Sequence, residues 1–165
     1  MPLPTMLIID TLGVEITDSF HLADADSALE PGAIVTLARL TQGGAQGGDL
    51  PRPLGVVLEP GARLDSLLPH LAALDLICVA FPKFRDGRGF TLARALRERH
   101  GFTGAIRAVG PVLPDQAQAL VACGVTQIET SDRHPPGQWA AFLAQAPHPA
   151  PAQLLNRLLT RAATT

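Results

Sequence analysis

The sequence predicts an α/β domain of successive βα units around a mainly parallel sheet, preceded by a small β-rich N-terminal segment. Three observations carry that expectation. Short apolar runs rich in Val and Ile alternate with segments whose apolar residues recur every three or four positions, the rhythm of strands and covering helices. The run LICVAF, residues 76–81, is apolar at every position, as a strand buried on both faces has to be. Two helix exits share one form, His100-Gly101-Phe102 and Cys123-Gly124-Val125, in which Gly takes the left-handed cap and the next apolar residue packs back.

Taken in order, residues 1–40 form the β-rich lead-in, with MLIID (6–10) and AIVTL (33–37) as short strands and LARL (37–40) opening a helix. Residues 41–53, TQGGAQGGDLPRP, concentrate Gly and Pro without apolar periodicity and read as a loop dividing the chain. The α/β core, residues 54–146, begins with the strand LGVVL (54–58) and the helix LDSLLPHLAAL (64–74), which Pro69 disturbs. LICVAF follows as a strand, and TLARALRERHG (91–101) places Leu92, Ala95 and Leu96 at helical spacing. AIRAV (105–109) is strand-like, DQAQALVACG (115–124) helical, and TQIET (126–130) a further strand. From 147 to 165 a Pro-rich tail leads into LLNRLLTRA, an amphipathic terminal helix. The whole reads as one domain, and its repeated units fit a flavodoxin-like sheet and a partial barrel equally.

At 165 residues, 47% hydrophobic and 17% charged, the chain is large and apolar enough to fold without metal or disulfide support. A net charge of -2 opposes broad attraction to nucleic acid or anionic membrane, and neither is expected as a partner. The stretch MPLPTMLIIDTLG lacks Lys and Arg and carries an Asp, and nowhere do about 18 apolar residues run together, so the expected compartment is the cytoplasm. Cys78 and Cys123 form no Cys-x-x-Cys pair and read as buried structural thiols. His70, His100, His134 and His148 have no ligand spacing, and Ser131 has no G-x-S-x-G elbow. No metal site is expected, and no residue is assigned a catalytic role.

Loops leaving the carboxyl ends of parallel strands are where ligands bind in such sheets. PKFRDGRGF, GPVLPDQ and TSDRHPPGQ follow successive strands and would bring Lys83, Arg85, Asp86, Arg88, Asp115, Gln116, Ser131 and His134 to one edge. Lys83 is the only lysine, and with Arg85 and Arg88 it surrounds Gly87 and Gly89, which permit close backbone approach. Such a loop suits an anion such as a sulfur oxyanion or a nucleotide, helped by the next helix's first N–H groups with Thr91 as its cap. The plainer reading is a solvated turn in which Asp86 pairs with Arg85 or Arg88. Arg94, Arg97 and Arg99 have the spacing of a solvated helix face, with Arg94 and Glu98 spaced to pair. Arg107 alternates with Ala105 and Val109, which fits either a structural ion pair or a wall of the site. Asp115-Gln116-Ala117-Gln118 has the form of a capping box.

The run FPKFRDGRGF (81–90), continued by TLARALRERHGFTGAIRAVGPVLPDQ, is similar to the bacterial domain of unknown function 934 family, whose members carry the description of an oxidoreductase involved in sulfite reduction. The resemblance is strongest from Leu54 to Gly124. The chain departs from the family's pattern at Ala80, where an acidic residue is common, and at Pro114, where Arg is common. The resemblance implies a place in the reduction of sulfate through sulfite to sulfide. No G-x-G-x-x-G opens a helix and no four-Cys set exists for an iron-sulfur cluster, so the cofactor is unassigned. Two classes of function follow: an oxidoreductase or accessory protein that binds an anionic ligand at the basic loop, or a noncatalytic module that docks on sulfite reductase or its partners.

Overall fold

A computed structural model describes residues 5–42, 50–83 and 85–145. The expected terminal helix and the Gly-rich middle of the 41–53 loop lie outside the described residues. Among the described residues seven strands form a single sheet: β1 (Met6–Asp10), β2 (His21–Leu22), β3 (Ala33–Thr36), β4 (Gly55–Leu58), β5 (Leu76–Ala80), β6 (Ala105–Val109) and β7 (Gln127–Ser131). Their order is β1-β7-β6-β5-β4-β3-β2, with β1 antiparallel to β7 and every other pair parallel. The helices are α1 (Leu37–Gln42), α2 (Leu64–Leu67), α3 (Arg88–Glu98), α4 (Ala117–Ala122) and α5 (Pro136–Leu143).

The βα rhythm therefore is real, and the lead-in is not separate from it: β3 pairs with β4 in register Val35 to Val56, with α1 and the loop as their crossover. Pro69 ends α2 and carries the chain into a 3-10 turn, Leu68–Ala73, as its missing N–H dictates. Both glycine exits form as expected. Gly101 and Gly124 have φ of 61° and 92°, and Phe102 and Val125 donate back to the carbonyls of Leu96 and Leu120 at 2.9 and 3.1 Å. Arg97 joins the two exits, donating from Nε to Gly124 C=O at 2.9 Å and from an Nη to Phe102 C=O at 2.6 Å. It is a half-buried staple rather than part of a solvated face.

From β2 to β7 each strand lies beside its predecessor, so right-handed crossovers bring every helix to the same face. A flavodoxin-like sheet reverses its strand order and places helices on both faces; no such reversal occurs here. Val35, Val56, Leu58, Ile77, Val79, Ile106 and Ile128 pack under Leu67, Ala93, Leu96 and Leu120 in the main core, whereas Ile34, Leu76 and Cys78 form a smaller cluster on the opposite face.

The helix-free face is concave. Ile16 still donates to the carbonyl of Ile8 on β1, and His21 already pairs with Ala33 at the opposite edge of the sheet. Five residue steps span at most about 18 Å, whereas the six strand spacings from β1 to β2 would cover about 29 Å if flat. The sheet has to curl to let residues 16–21 bridge its edges, and that short segment becomes a strap across the hollow side.

Candidate functional site

Strand register lays the concave face out in rows. The deepest row, Ile34, Gly55, Leu76 and Ala105, is small or apolar. Gly55 keeps it level: a Cβ there would sit 3.1 Å from Ile34 and 3.4 Å from Leu76. The middle row is Thr36, Val57, Cys78, Arg107 and Gln127. Towards the carboxyl ends of the strands come Glu59, Ala80, Val109 and Glu129, as alternation requires. Over these rows lies a cavity of about 400 Å³, walled by Phe20 and Asp18 of the strap, Val57, Cys78, Arg107 and Glu129, among others. Its size and its apolar floor with a few convergent polar groups are those of a small-molecule site.

Arg107 is the central polar group, and it is only 3% exposed. Its two terminal nitrogens donate to the two carboxylate oxygens of Asp18, each at 2.8 Å, and Nε donates to Gln127 Oε1 at 3.0 Å. Phe20 lays its ring 5.9 Å from the guanidinium carbon. Burial works against ionisation of Asp18, but the Arg107 fork, the Phe20 N–H and the Arg107 charge together outweigh it and hold the carboxyl below its ordinary value. Burial lifts the Glu129 carboxyl above its ordinary value, with the Arg107 charge and a hydrogen bond from the Gly110 N–H opposing the lift. Burial likewise pushes the Cys78 thiol up to about 12, so this buried sulfur is protonated and unreactive at neutral pH. Among the described residues, no three His, Cys, Asp or Glu side chains are placed to hold a metal ion together.

The basic loop lies outside this wall. Phe81 and Pro82 line the cavity, and Lys83, which follows them, is exposed. Arg85 is exposed as well. Asp86 is engaged with Arg88, accepting from Nε at 2.9 Å, from an Nη at 2.6 Å and from the backbone N–H at 3.2 Å. Those bonds to Arg88 bring the Asp86 carboxyl down to about 2. This is the solvated turn that Asp-Gly makes, and because Asp86 takes the Arg88 N–H, α3 begins at Arg88 and Thr91 sits within the helix instead of capping it. Gly87 is open on its Cα, while the space above Gly89 is filled by the ring of Phe81, 2.5 Å from where a Cβ would stand.

Asp115 is exposed in a 3-10 turn, Pro114–Gln116. The expected box is shifted: Gln116 Oε1 accepts from the Leu113 N–H at 2.9 Å, because Pro114 has already started the turn. His134 contacts Gln138 through Nδ1 at 3.1 Å. Arg94 reaches Cys123 Sγ at 3.7 Å. Of the residues the sequence proposed for ligand binding, only Arg107 lines the cavity; Cys78 and Ala80, noted on other grounds, line it too. Sequence reasoning missed Asp18, Phe20, Glu59 and Glu129. Glu129 was findable, since in TQIET it alternates with Ile128 onto the face of Arg107; Asp18 lies in irregular chain with no local signal.

A family model described as "Bacterial protein of unknown function (DUF934)" matches residues 55–150. The match takes in β4 to α5, with Arg107, Glu129 and the basic loop, and leaves Asp18 outside. A comparison with curated proteins finds no match. With more than half of its length under the family model, the chain belongs to the DUF934 family.

Proposed function

We propose that the protein is an accessory protein or oxidoreductase of assimilatory sulfite reduction that binds an anionic small molecule, a sulfur oxyanion or a nucleotide. The observation that carries the binding reading is a buried arginine, Arg107, in the wall of a cavity of about 400 Å³ on the helix-free face. The sheet acts as a partial barrel whose ligand enters from the carboxyl ends of the strands, as in closed βα barrels. Lys83 and Arg85, just beyond Pro82, attract the anion towards the entrance and meet any part of it that protrudes. Sulfite reduction is what the resemblance of FPKFRDGRGF implies, and it directs the choice of ligands to test.

A thermal-shift panel of sulfite, sulfate, adenylyl sulfates, flavins and nicotinamide nucleotides tests the reading on the wild type, Val57→Trp and Lys83→Ala. A ligand at about a hundred times its dissociation constant stabilises the folded chain by about 2.7 kcal/mol. Stabilisation that is abolished by the indole filling the cavity and weakened by Lys83→Ala is the expected result. If no compound stabilises the wild type, ligand binding is wrong.

A second reading, a noncatalytic module docking on sulfite reductase or its partners, draws on a different surface. Leu12 and Val14 are 71% and 55% exposed on either side of Gly13, whose Cα lies against Ala140 of α5. Co-purification with sulfite reductase that is lost in Leu12→Asp and Val14→Asp would favour this reading over the first.

A further inference from the structure

We infer that Asp18 is an internal substitute for the ligand, its carboxylate holding the Arg107 fork that an incoming oxyanion takes over while the strap from Ile16 to His21 is released. The inference rests on the proposed anion binding and specifies its site, Arg107 and not the basic loop, and its chemistry, a group with two coplanar acceptor oxygens.

The geometry supports an exchange in four ways. Both Arg107–Asp18 bonds are 2.8 Å and engage both terminal nitrogens, the fork arrangement by which arginine takes any carboxylate, sulfate-like or phosphate group. The guanidinium stays in place without Asp18, because Nε is tied to Gln127 and the strand carries the Cα; a ligand would find it already oriented. The two partners are unequally held: the Arg107 side chain is 4% exposed, that of Asp18 31%, at the boundary between cavity and solvent. Finally, Thr17, Asp18 and Ser19 of the strap are exposed and Phe20 packs on the small Ile34-Leu76-Cys78 cluster, so the strap's departure uncovers that cluster and widens a cavity already present.

Charge makes the exchange feasible. Asp18 on the strap, Glu59 beyond β4 and Glu129 on β7 all line the cavity with Arg107, so a second anion added beside Asp18 would meet net repulsion. Replacing the carboxylate by an oxyanion of one or two negative charges adds at most one charge beside Arg107, less than placing the anion there with Asp18 still in position. No covalent or redox step is involved.

The test is calorimetric titration of inorganic sulfite and inorganic sulfate into the wild type, Asp18→Asn, Asp18→Ser, Arg107→Lys, Lys83→Ala and the charge control Asp65→Asn, each checked for folding by circular dichroism. Asp65 is exposed on α2, away from the cavity lining. If the open fork is about a tenth of the free protein, unmasking it strengthens binding roughly tenfold in both Asp18 variants. Asp65→Asn leaves the affinity unchanged, and Arg107→Lys, with charge but no fork, weakens it. In the wild type, saturation with either anion shifts the backbone amide resonances of Thr17 to Phe20.

Equal or weaker binding in both Asp18 variants overturns the exchange. If Arg107→Lys alone weakens binding, the cavity remains the anion site and only the exchange is lost. If Lys83→Ala abolishes binding and the Arg107 and Asp18 variants do not alter it, the anion sits on the basic loop. If none of these proteins binds either anion, anion binding and exchange fall together.

Discussion

Trp139 of α5 donates its indole N–H to Thr130 Oγ1 of β7 at 2.8 Å, and the same hydroxyl donates to the His134 carbonyl at 2.8 Å. Trp139 is fully buried and Thr130 4% exposed, so one hydroxyl satisfies a core indole and closes the turn between β7 and α5. Thr130→Val, nearly isosteric, leaves the indole N–H unsatisfied and should cost about 1–3 kcal/mol in chemical denaturation. Thr130→Ser keeps the hydroxyl and should recover most of that loss. Equal stability of the Val variant and the wild type would mean that the hydrogen bond contributes nothing net.

Glu129 makes a pH-dependent prediction. A carboxyl raised on folding holds its proton more tightly in the folded chain, so its favourable contribution is complete below the ordinary carboxyl value and disappears as pH rises through the raised one. At about pH 8 the ionised group is a cost, and Glu129→Gln, which keeps an oxygen for the Gly110 N–H, should melt higher than the wild type. The difference should shrink as pH falls and vanish well below the ordinary carboxyl value of about 4.3, where Glu129 is protonated in both states. Melting curves across that range check it, and a variant that melts lower at about pH 8 contradicts the burial argument.

Gly89 and Phe81 are coupled through space the glycine leaves empty. A Cβ on Gly89 would lie 2.5–2.9 Å from three carbons of the Phe81 ring, which is 1% exposed and stacked edge-on with Phe90 at 5.1 Å between centroids. Gly89→Ala should therefore destabilise by about 1–3 kcal/mol, as overpacking does. The double variant Gly89→Ala, Phe81→Leu should lose less than the sum of its parts, because the smaller side chain makes room. Urea denaturation of all four proteins gives the coupling directly, and strict additivity would show that the ring has another way to move.

Local pattern determined the elements. LGVVL, LICVAF and AIRAV are strands because consecutive apolar, β-branched residues suit a sheet face that is covered, and Gly101 and Gly124 end helices because L side chains resist positive φ. Alternation along AIRAV also turned Arg107 away from Ile106 and Ala108, onto the face opposite the main core. Periodicity does not encode which strand lies beside which, so the same repeats fitted a reversing sheet and a singly wound one until the order β2 to β7 decided it. That order moved the pocket from the loop edge to the helix-free face and left the basic turn outside it. The partner of Arg107 was equally unreadable, because Asp18 stands 89 residues away in irregular chain, and only the curl that lets the strap cross the sheet brings the two charges within 2.8 Å.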